Sequence, residues 1–282
     1  MTAILLDGKQ VAMTLKKNII VAVEKRKQSG QRAPGLAVVL VGHDPASEVY
    51  VTNKRKACAE VGIESYSHDL PATATQEQLL QLIHELNDNK NVDGILVQLP
   101  LPAAMNSDLI IEAISPAKDV DGFHPYNFGR LAQRTPTLRP CTPYGIIQLL
   151  SAYNISLKGK HAVIVGASNI VGRPMAFEFL IAGATITICH RFTQNMEQHI
   201  RIADIIVVAA GAPDIIDPEW LNDKQIVIDV GIHRMANGKL RGDMDFERAE
   251  KRVAAITPVP GGVGPMTIVT LLQNTLLAAN WS

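Results

Sequence analysis

Residues 163–174 read VIVGASNIVGRP: a β-branched run, a glycine, a short polar turn and a second glycine. A strand feeding a helix through a phosphate-binding turn has this shape, although the usual middle glycine is missing and the last comes one residue late. Gly166 can take the tight turn, with Ala167 directly after it. Ser168 can offer a hydroxyl and a backbone N–H to a phosphate at the helix amino end. Gly172 can let helix and strand approach closely, the task of the third glycine in the usual fingerprint. Pro174 fits where the helix starts late, because it has no N–H to give to an established ladder. An ordinary strand–turn–helix unit reads the same way in isolation.

The next strand bears on the choice. It ends ICHRFT (188–193). A site for NAD places a carboxylate about 20 residues beyond the turn, to take the ribose 2′-hydroxyl. His190 and Arg191 stand there instead. A guanidinium grips phosphate through two parallel hydrogen bonds and suits a ribose 2′-phosphate. Alone, Arg191 reads equally as a solvated loop charge. Beside the 166–172 turn it favours NADP as the cofactor.

Outward from this unit, strand-like and helix-like pieces alternate. An opening helix over Lys9–Gln28 stops at Gly30. LAVVLVG (36–42), a short stretch near Ile63–Tyr66 and DGILVQL (93–99) read as strands. Between them ASEVYVTNKRKACAEVG (46–62) and TQEQLLQLIHELND (75–88) read as helices, and SDLIIEAI (107–114) follows as another. After a connecting helix, PYGIIQLLSAYN, a second block runs through HAVIVG, ATITICH, DIIVVAAG and QIVIDVG. That order implies parallel strands with helical crossovers. The expected fold is α/β in two domains with a cleft between them. An N-terminal α/β catalytic domain spans 1–140 and a Rossmann-like NADP-binding domain 141–264, and an apolar C-terminal helix, 265–282, packs back onto the first. Lys118–Pro143, rich in Gly, Pro and Asp, reads as a linker carrying ligand-facing loops.

Composition removes several classes of function. Lys plus Arg and Asp plus Glu number 27 each in 282 residues, and aromatics are sparse, so neither nucleic acid nor an anionic membrane is indicated as partner. The three cysteines, Cys58, Cys141 and Cys189, are far apart and form no metal-ligand spacing, so no metal is expected and a reducing cytoplasm is. The start, MTAILLDGKQ, lacks the basic and apolar regions of an export signal, and the longest apolar runs are too short to span a bilayer.

The helix SEVYVTNKRKACAEV holds an anomaly. At 100° per residue Ser47, Tyr50, Lys54, Ala57, Cys58 and Val61 share one side, so Lys54 joins the stripe that should be buried while Arg55 and Lys56 point elsewhere. A lysine sheltered in an apolar cleft gives up its proton more readily and can shuttle protons near neutral pH. Snorkelling of its stem to water is the competing account. Gln98 ends the strand DGILVQL, at the edge where open α/β sheets bind ligands, just before Pro100. It can hold a carbonyl, position Lys54 or simply cap the strand. Asp121, in KDVDGF, is a turn former or a carboxylate able to accept two N–H groups from a heterocycle. VPGGVGPMT (259–267) sets glycines before a helix, as a ligand-bordering loop or as a hinge. The spacing Tyr50-x-x-x-Lys54 also occurs in short-chain dehydrogenases, but there the glycine loop precedes the tyrosine and here it follows.

Together, SEVYVTNKRKAC, DGILVQLPLP, KDVDGF, RPCTPYG, GASNIVGRP and TPVPGGVGPMT resemble, in order and over essentially the whole chain, the bifunctional methylenetetrahydrofolate dehydrogenase/methenyltetrahydrofolate cyclohydrolase family. The resemblance implies Lys54 as the catalytic lysine, Tyr50 as its partner that stacks on the folate, and Gln98 as the support of the lysine. It implies Asp121 as the anchor of the pterin's amino and ring N–H groups. Pro100, Gly262 and Pro265 border the substrate, and Gly166, Ala167, Ser168, Gly172, Arg191 and Ile232 the cofactor. Oxidation of 5,10-methylenetetrahydrofolate by NADP⁺, then hydrolysis to 10-formyltetrahydrofolate, is the implied activity, with a homodimer as the assembly. Many of these relatives carry arginine where this chain has Ala167, and Arg191 is the expected source of the missing charge. A non-catalytic NADP-sensing module is the alternative; it leaves Lys54, Gln98 and Asp121 idle.

Overall fold

The computed structural model describes residues 3–235 and 237–281, with the backbone alone at positions 45 and 46. The chain divides into two compact units, one of Thr14–Cys141 with Ile268–Ser282, the other of Met1–Met13 with Thr142–Thr267. It opens with β1 (Ile4–Leu5) and α1 (Gly8–Gln28).

The first unit contains β2 (Gly35–Val41), α2 (Pro45–Val61), β3 (Glu64–Leu70), α3 (Gln76–Asp88), β4 (Gly94–Val97), α4 (Ser107–Ala113) and α5 (Pro125–Ala132). Its sheet is parallel, in the order β3-β2-β4. The central strand is buried at every residue, which is why its sequence is one apolar run rather than an alternation. Val39, Val97, Leu79 and Ile83 belong to the cluster that packs α3 on this sheet. Helix α2 starts where the Asp44 carboxylate accepts the Ser47 N–H at 2.8 Å and ends at Gly62, whose φ of 77° is left-handed. A capping box of Thr75 and Gln78 opens α3. α5 lies inside the stretch expected to be a linker. It is eight residues long and contains Gly129 and a buried Asn127, so its apolar stripe is too short to show a period.

A helix, α6 (Cys141–Ala152), leads into the second unit. There follow β5 (His161–Val165), α7 (Gly172–Ile181), β6 (Thr185–Cys189), α8 (Met196–Arg201), β7 (Ile205–Val208) and β8 (Ile226–Asp229). The antiparallel pair β9 (His233–Arg234) and β10 (Leu240–Arg241), α9 (Phe246–Ala249), β11 (Ala255–Ile256) and the closing α10 (Val263–Ala279) complete the chain. The six-stranded sheet runs β1-β11-β8-β7-β5-β6, all parallel, in the Rossmann manner. The opening residues, read in sequence with the first domain, pair here as β1 with β11. A two-residue strand is too short to announce itself by periodicity. Pro174 falls in the first turn of α7, where no ladder hydrogen bond is lost.

Candidate active site

In the first unit, the side of α2 that carries Ser47, Val51, Ala57, Cys58 and Val61 is buried, and Lys54 is buried with it at 8 % exposure. Its ammonium donates to the Gln98 side-chain oxygen at 3.1 Å. The amide of Gln98 is turned for this purpose: its NH₂ group donates to the Leu99 carbonyl at 2.6 Å, which leaves only the oxygen to face Lys54. Strand β4 therefore ends in a fixed acceptor for a cation on α2. Pro100 follows on the exposed side of that corner. Tyr50 lies one turn before Lys54, half-buried, and burial raises the pKa of its phenol.

Asp121 enters the same electrostatic neighbourhood. Burial pushes its carboxyl up to about 6, against the pull of the Lys54 ammonium and with some repulsion from Asp119. The chain around it is held tightly. Gly122 sits at φ 76°, and a Cβ there would lie 2.5 Å from the Pro140 nitrogen. The buried Asp119 carboxylate accepts N–H groups from Phe123 at 3.1 Å, His124 at 2.9 Å and the Asn127 side chain at 2.8 Å. Asn274 donates from α10 to the Val120 and Arg139 carbonyls, both at 2.8 Å. Neither Asp119 nor Asn274 stands out in the sequence. One reads as a turn residue and the other as a polar break in an apolar helix, and only their burial shows that they fix the backbone of Asp121.

In the second unit, Gly166 leaves β5 at φ 124°, and a Cβ on it would stand 2.1 Å from the Ala209 carbonyl oxygen of the neighbouring strand's exit. A Cβ on Gly172 would lie 2.0 Å from the Gly166 oxygen, so the helix–strand approach expected from the sequence is real and excludes any side chain. The Ser168 hydroxyl accepts from the N–H groups of Val171 at 3.1 Å and Gly172 at 3.3 Å, which leaves its proton available to an anion. Arg191 is exposed, its guanidinium 4.6 Å from the centre of the Phe192 ring. Ile232 is exposed on the turn after β8. That turn is tied down by two buried carboxylates. Asp229 accepts from the N–H groups of Gly231, Asp243 and Met244, and Asp243 from those of Ala210 and Gly211 and from the His233 ring at 2.6 Å. Gly262 and the half-buried Pro265 flank the start of α10, where the Gly262 N–H reaches the Pro258 carbonyl at 2.9 Å. A cavity of about 810 Å³, bordered by Asp229, Met244, Phe246 and Val259, opens in the same unit; Val259 starts the VPGGVGPMT loop, and none of Gly166, Ser168, Gly172, Arg191, Ile232, Gly262 and Pro265 lines it.

A turn without side chains at its two tightest points, a hydroxyl at the helix start and a cation at the end of the next strand fit a phosphate-bearing dinucleotide. Among the described residues no cluster could hold a metal ion, and no helix is long and apolar enough to cross a membrane.

Residues 6–121 match the model of the tetrahydrofolate dehydrogenase/cyclohydrolase catalytic domain, and residues 140–282 that of the family's NAD(P)-binding domain. The chain belongs to the tetrahydrofolate dehydrogenase/cyclohydrolase family. It is a two-domain α/β enzyme of that family, a dehydrogenase and cyclohydrolase with an NAD(P)-binding domain. A curated relative, the bifunctional protein FolD of Legionella pneumophila, is 60% identical over 99% of this chain and 98% of its own length. The crystal structure of the bifunctional FolD enzyme from Campylobacter jejuni matches with a TM-score of 0.95 at 50% identity, covering 98% of each chain. The Trypanosoma brucei dehydrogenase-cyclohydrolase, solved with NADP cofactor and an inhibitor, matches with a TM-score of 0.95 at 37% identity, over 100% of this chain and 98% of that one.

Proposed function

We propose that this member of the family oxidises 5,10-methylenetetrahydrofolate to the 5,10-methenyl compound with NADP⁺ and hydrolyses that product to 10-formyltetrahydrofolate, with Lys54 moving the protons of the second step. The observation that carries the proposal is the buried ammonium of Lys54 facing a neutral amide oxygen, 3.1 Å away, rather than a carboxylate. An ammonium held through a single amide oxygen is fixed in place and keeps its other N–H groups for a ligand. Bound NADP⁺ supplies the hydride acceptor.

The remaining work is alignment. Gln98 holds Lys54 toward the carbon that water attacks, and Tyr50 covers the folate ring from the preceding helical turn. Asp121 accepts the amino and ring N–H groups of the pterin; a charged acceptor makes such bonds about twice as strong as a neutral one. Pro100, Gly262 and Pro265 border the substrate. Gly166, Ala167, Ser168, Gly172 and Ile232 shape the cofactor's seat, and Arg191 faces its 2′-phosphate. In this proposal residues 1–140 serve as the folate-binding catalytic domain and 141–264 as the NADP-binding domain, with 265–282 returning to the first. The working form is a homodimer in the cytoplasm. Family resemblance supports both assignments, and three free buried cysteines accord with a reducing compartment.

The test is to mix the protein with methylenetetrahydrofolate and NADP⁺ and to follow NADPH formation and methenyl absorbance. NADPH should appear, with methenyl absorbance that decays faster than the spontaneous hydrolysis in buffer. NADPH without accelerated decay removes the hydrolytic half of the proposal. Binding of NADP⁺ with no turnover favours the sensing module.

A further inference from the structure

We infer that Arg173 is a specificity-determining residue of the cofactor site and grips the ribose 2′-phosphate together with Arg191, standing in for the charge that Ala167 does not carry. The inference rests on the NADP proposal above and deepens it. β5 and β6 run in register from His161 opposite Thr185 to Val165 opposite Cys189, and the Gly166 N–H donates to the Cys189 carbonyl at 2.9 Å. The two chain exits thus leave the sheet edge side by side, one leading to Ala167 and the other to Arg191.

Arg173 lies beyond both glycines of the turn, in the first turn of α7, and its side chain doubles back. Its Nε donates to the Ala167 carbonyl at 3.0 Å, so the guanidinium lies against the residue whose own side chain is a methyl group. The two terminal nitrogens of Arg173 are left to project beside the turn. Neither Arg173 nor Arg191 enters an ion pair among the described residues. Four other arginines of this unit do, Arg201 with Glu197, Arg241 with Asp214, Arg248 with Asp217 and Arg252 with Glu219, whereas the exposed Arg234 does not. The carboxylate that would claim a ribose 2′-hydroxyl, and repel a phosphate, is missing from the end of β6, where His190 and Arg191 stand.

Two unneutralised guanidinia beside a small residue form a receptor for a dianion and give a hydroxyl little. Ala167 contributes by being small: its methyl group takes little room beside the Arg173 guanidinium that its carbonyl holds. The single Nε hydrogen bond fixes the plane of the Arg173 fork before any ligand arrives, which lowers the entropy lost on binding.

The inference is tested with the full-length protein by titrating adenosine 2′,5′-bisphosphate and adenosine 5′-monophosphate, so that recognition of the 2′-phosphate is measured apart from turnover. The wild type should prefer the bisphosphate. Arg173→Ala should reduce that preference about tenfold, the scale of one charge-assisted contact at a partly exposed site, with affinity for the monophosphate unchanged. Arg173→Lys should keep part of the preference, and Arg173→Gln should behave as the alanine variant does, which covers the case in which the shorter side chain impairs folding. An Arg173→Ala or Arg173→Gln protein that retains the full preference, or that loses both nucleotides equally, overturns the inference. A wild type indifferent to the 2′-phosphate overturns the NADP proposal with it, so the two failures are told apart.

Discussion

The ammonium of Lys54 and the guanidinium of Arg173 both stand at the carboxyl edge of a parallel sheet, and they are held in opposite ways. Lys54 is withdrawn from water and hydrogen-bonded to the neutral oxygen of Gln98. Arg173 is exposed, and a backbone carbonyl takes its Nε while its other two nitrogens have no hydrogen-bond partner among the described residues. A sheltered ammonium held through one neutral contact is placed in a fixed position where it can meet a reacting group. An exposed guanidinium acts on a ligand through its charge and its forked N–H donors. The consequences of removing the two side chains should differ accordingly. Proton transfer by a placed group accounts for orders of magnitude in rate, whereas a surface contact to an anion accounts for far less.

The comparison is broken most directly at Lys54. Lys54→Met keeps the stem's bulk in the buried face of α2 and removes the nitrogen, so the fold and the affinity for NADP⁺ should be retained. Cyclohydrolase turnover, measured as methenyl decay corrected for the spontaneous rate, should fall by a factor of about 10²–10⁴. Near-normal hydrolysis by a folded Lys54→Met protein would remove Lys54 from the mechanism.

Lys54 was also the most legible feature of the sequence, because it violates a pattern: a charge on an otherwise apolar helical stripe has to be explained. The glycine turn was legible for the related reason that a side chain at Gly166 or Gly172 collides with backbone. The six parallel strands were visible as apolar runs wherever they exceed three residues, and β1, β9, β10 and β11, with two residues each, were not. Arg173 escaped because nothing in the string says that its side chain folds back to Ala167. Asp119 and Asn274 escaped for a different reason: an acid near a glycine and an amide in a helix are ordinary until their burial and their backbone partners are seen.

Asp121 sharpens the contrast, because its charge changes near pH 6. Its pKa is raised to about 6 by burial, so the folded protein holds this proton more tightly than the unfolded chain does. The charged acceptor is present above that value and lost below it. The kcat/KM for methylenetetrahydrofolate should therefore be level above pH 6 and fall as pH drops through it, and Asp121→Asn should weaken substrate capture by about ten- to a hundredfold while abolishing that limb of the profile. The sign for stability is the reverse. Keeping a buried carboxylate ionised costs the wild type stability as pH rises from the ordinary carboxylate range to about 6, and the cost is complete above that. At pH 7 the Asp121→Asn protein should melt no lower than wild type; an unaltered pH profile in this variant would assign the acid limb to another group.

The smallest effect is expected at Arg191. Its guanidinium rests against the exposed Phe192 ring, so any contact it makes with an anion is a solvent-exposed one. Arg191→Ala should lower the preference for NADP⁺ over NAD⁺, taken as the ratio of kcat/KM values, by only about two- to fivefold. The informative quantity is the coupling. Two guanidinia that grip the same dianion depend on each other, because each holds the phosphate where the other can reach it, so the double variant with Arg173→Ala should lose less than the product of the single losses. Exactly multiplicative losses would mean that the arginines act on separate parts of the nucleotide. Full retention of the preference in Arg191→Ala would leave discrimination to Arg173 alone, and the exposed cation nearest the turn would then be sufficient by itself.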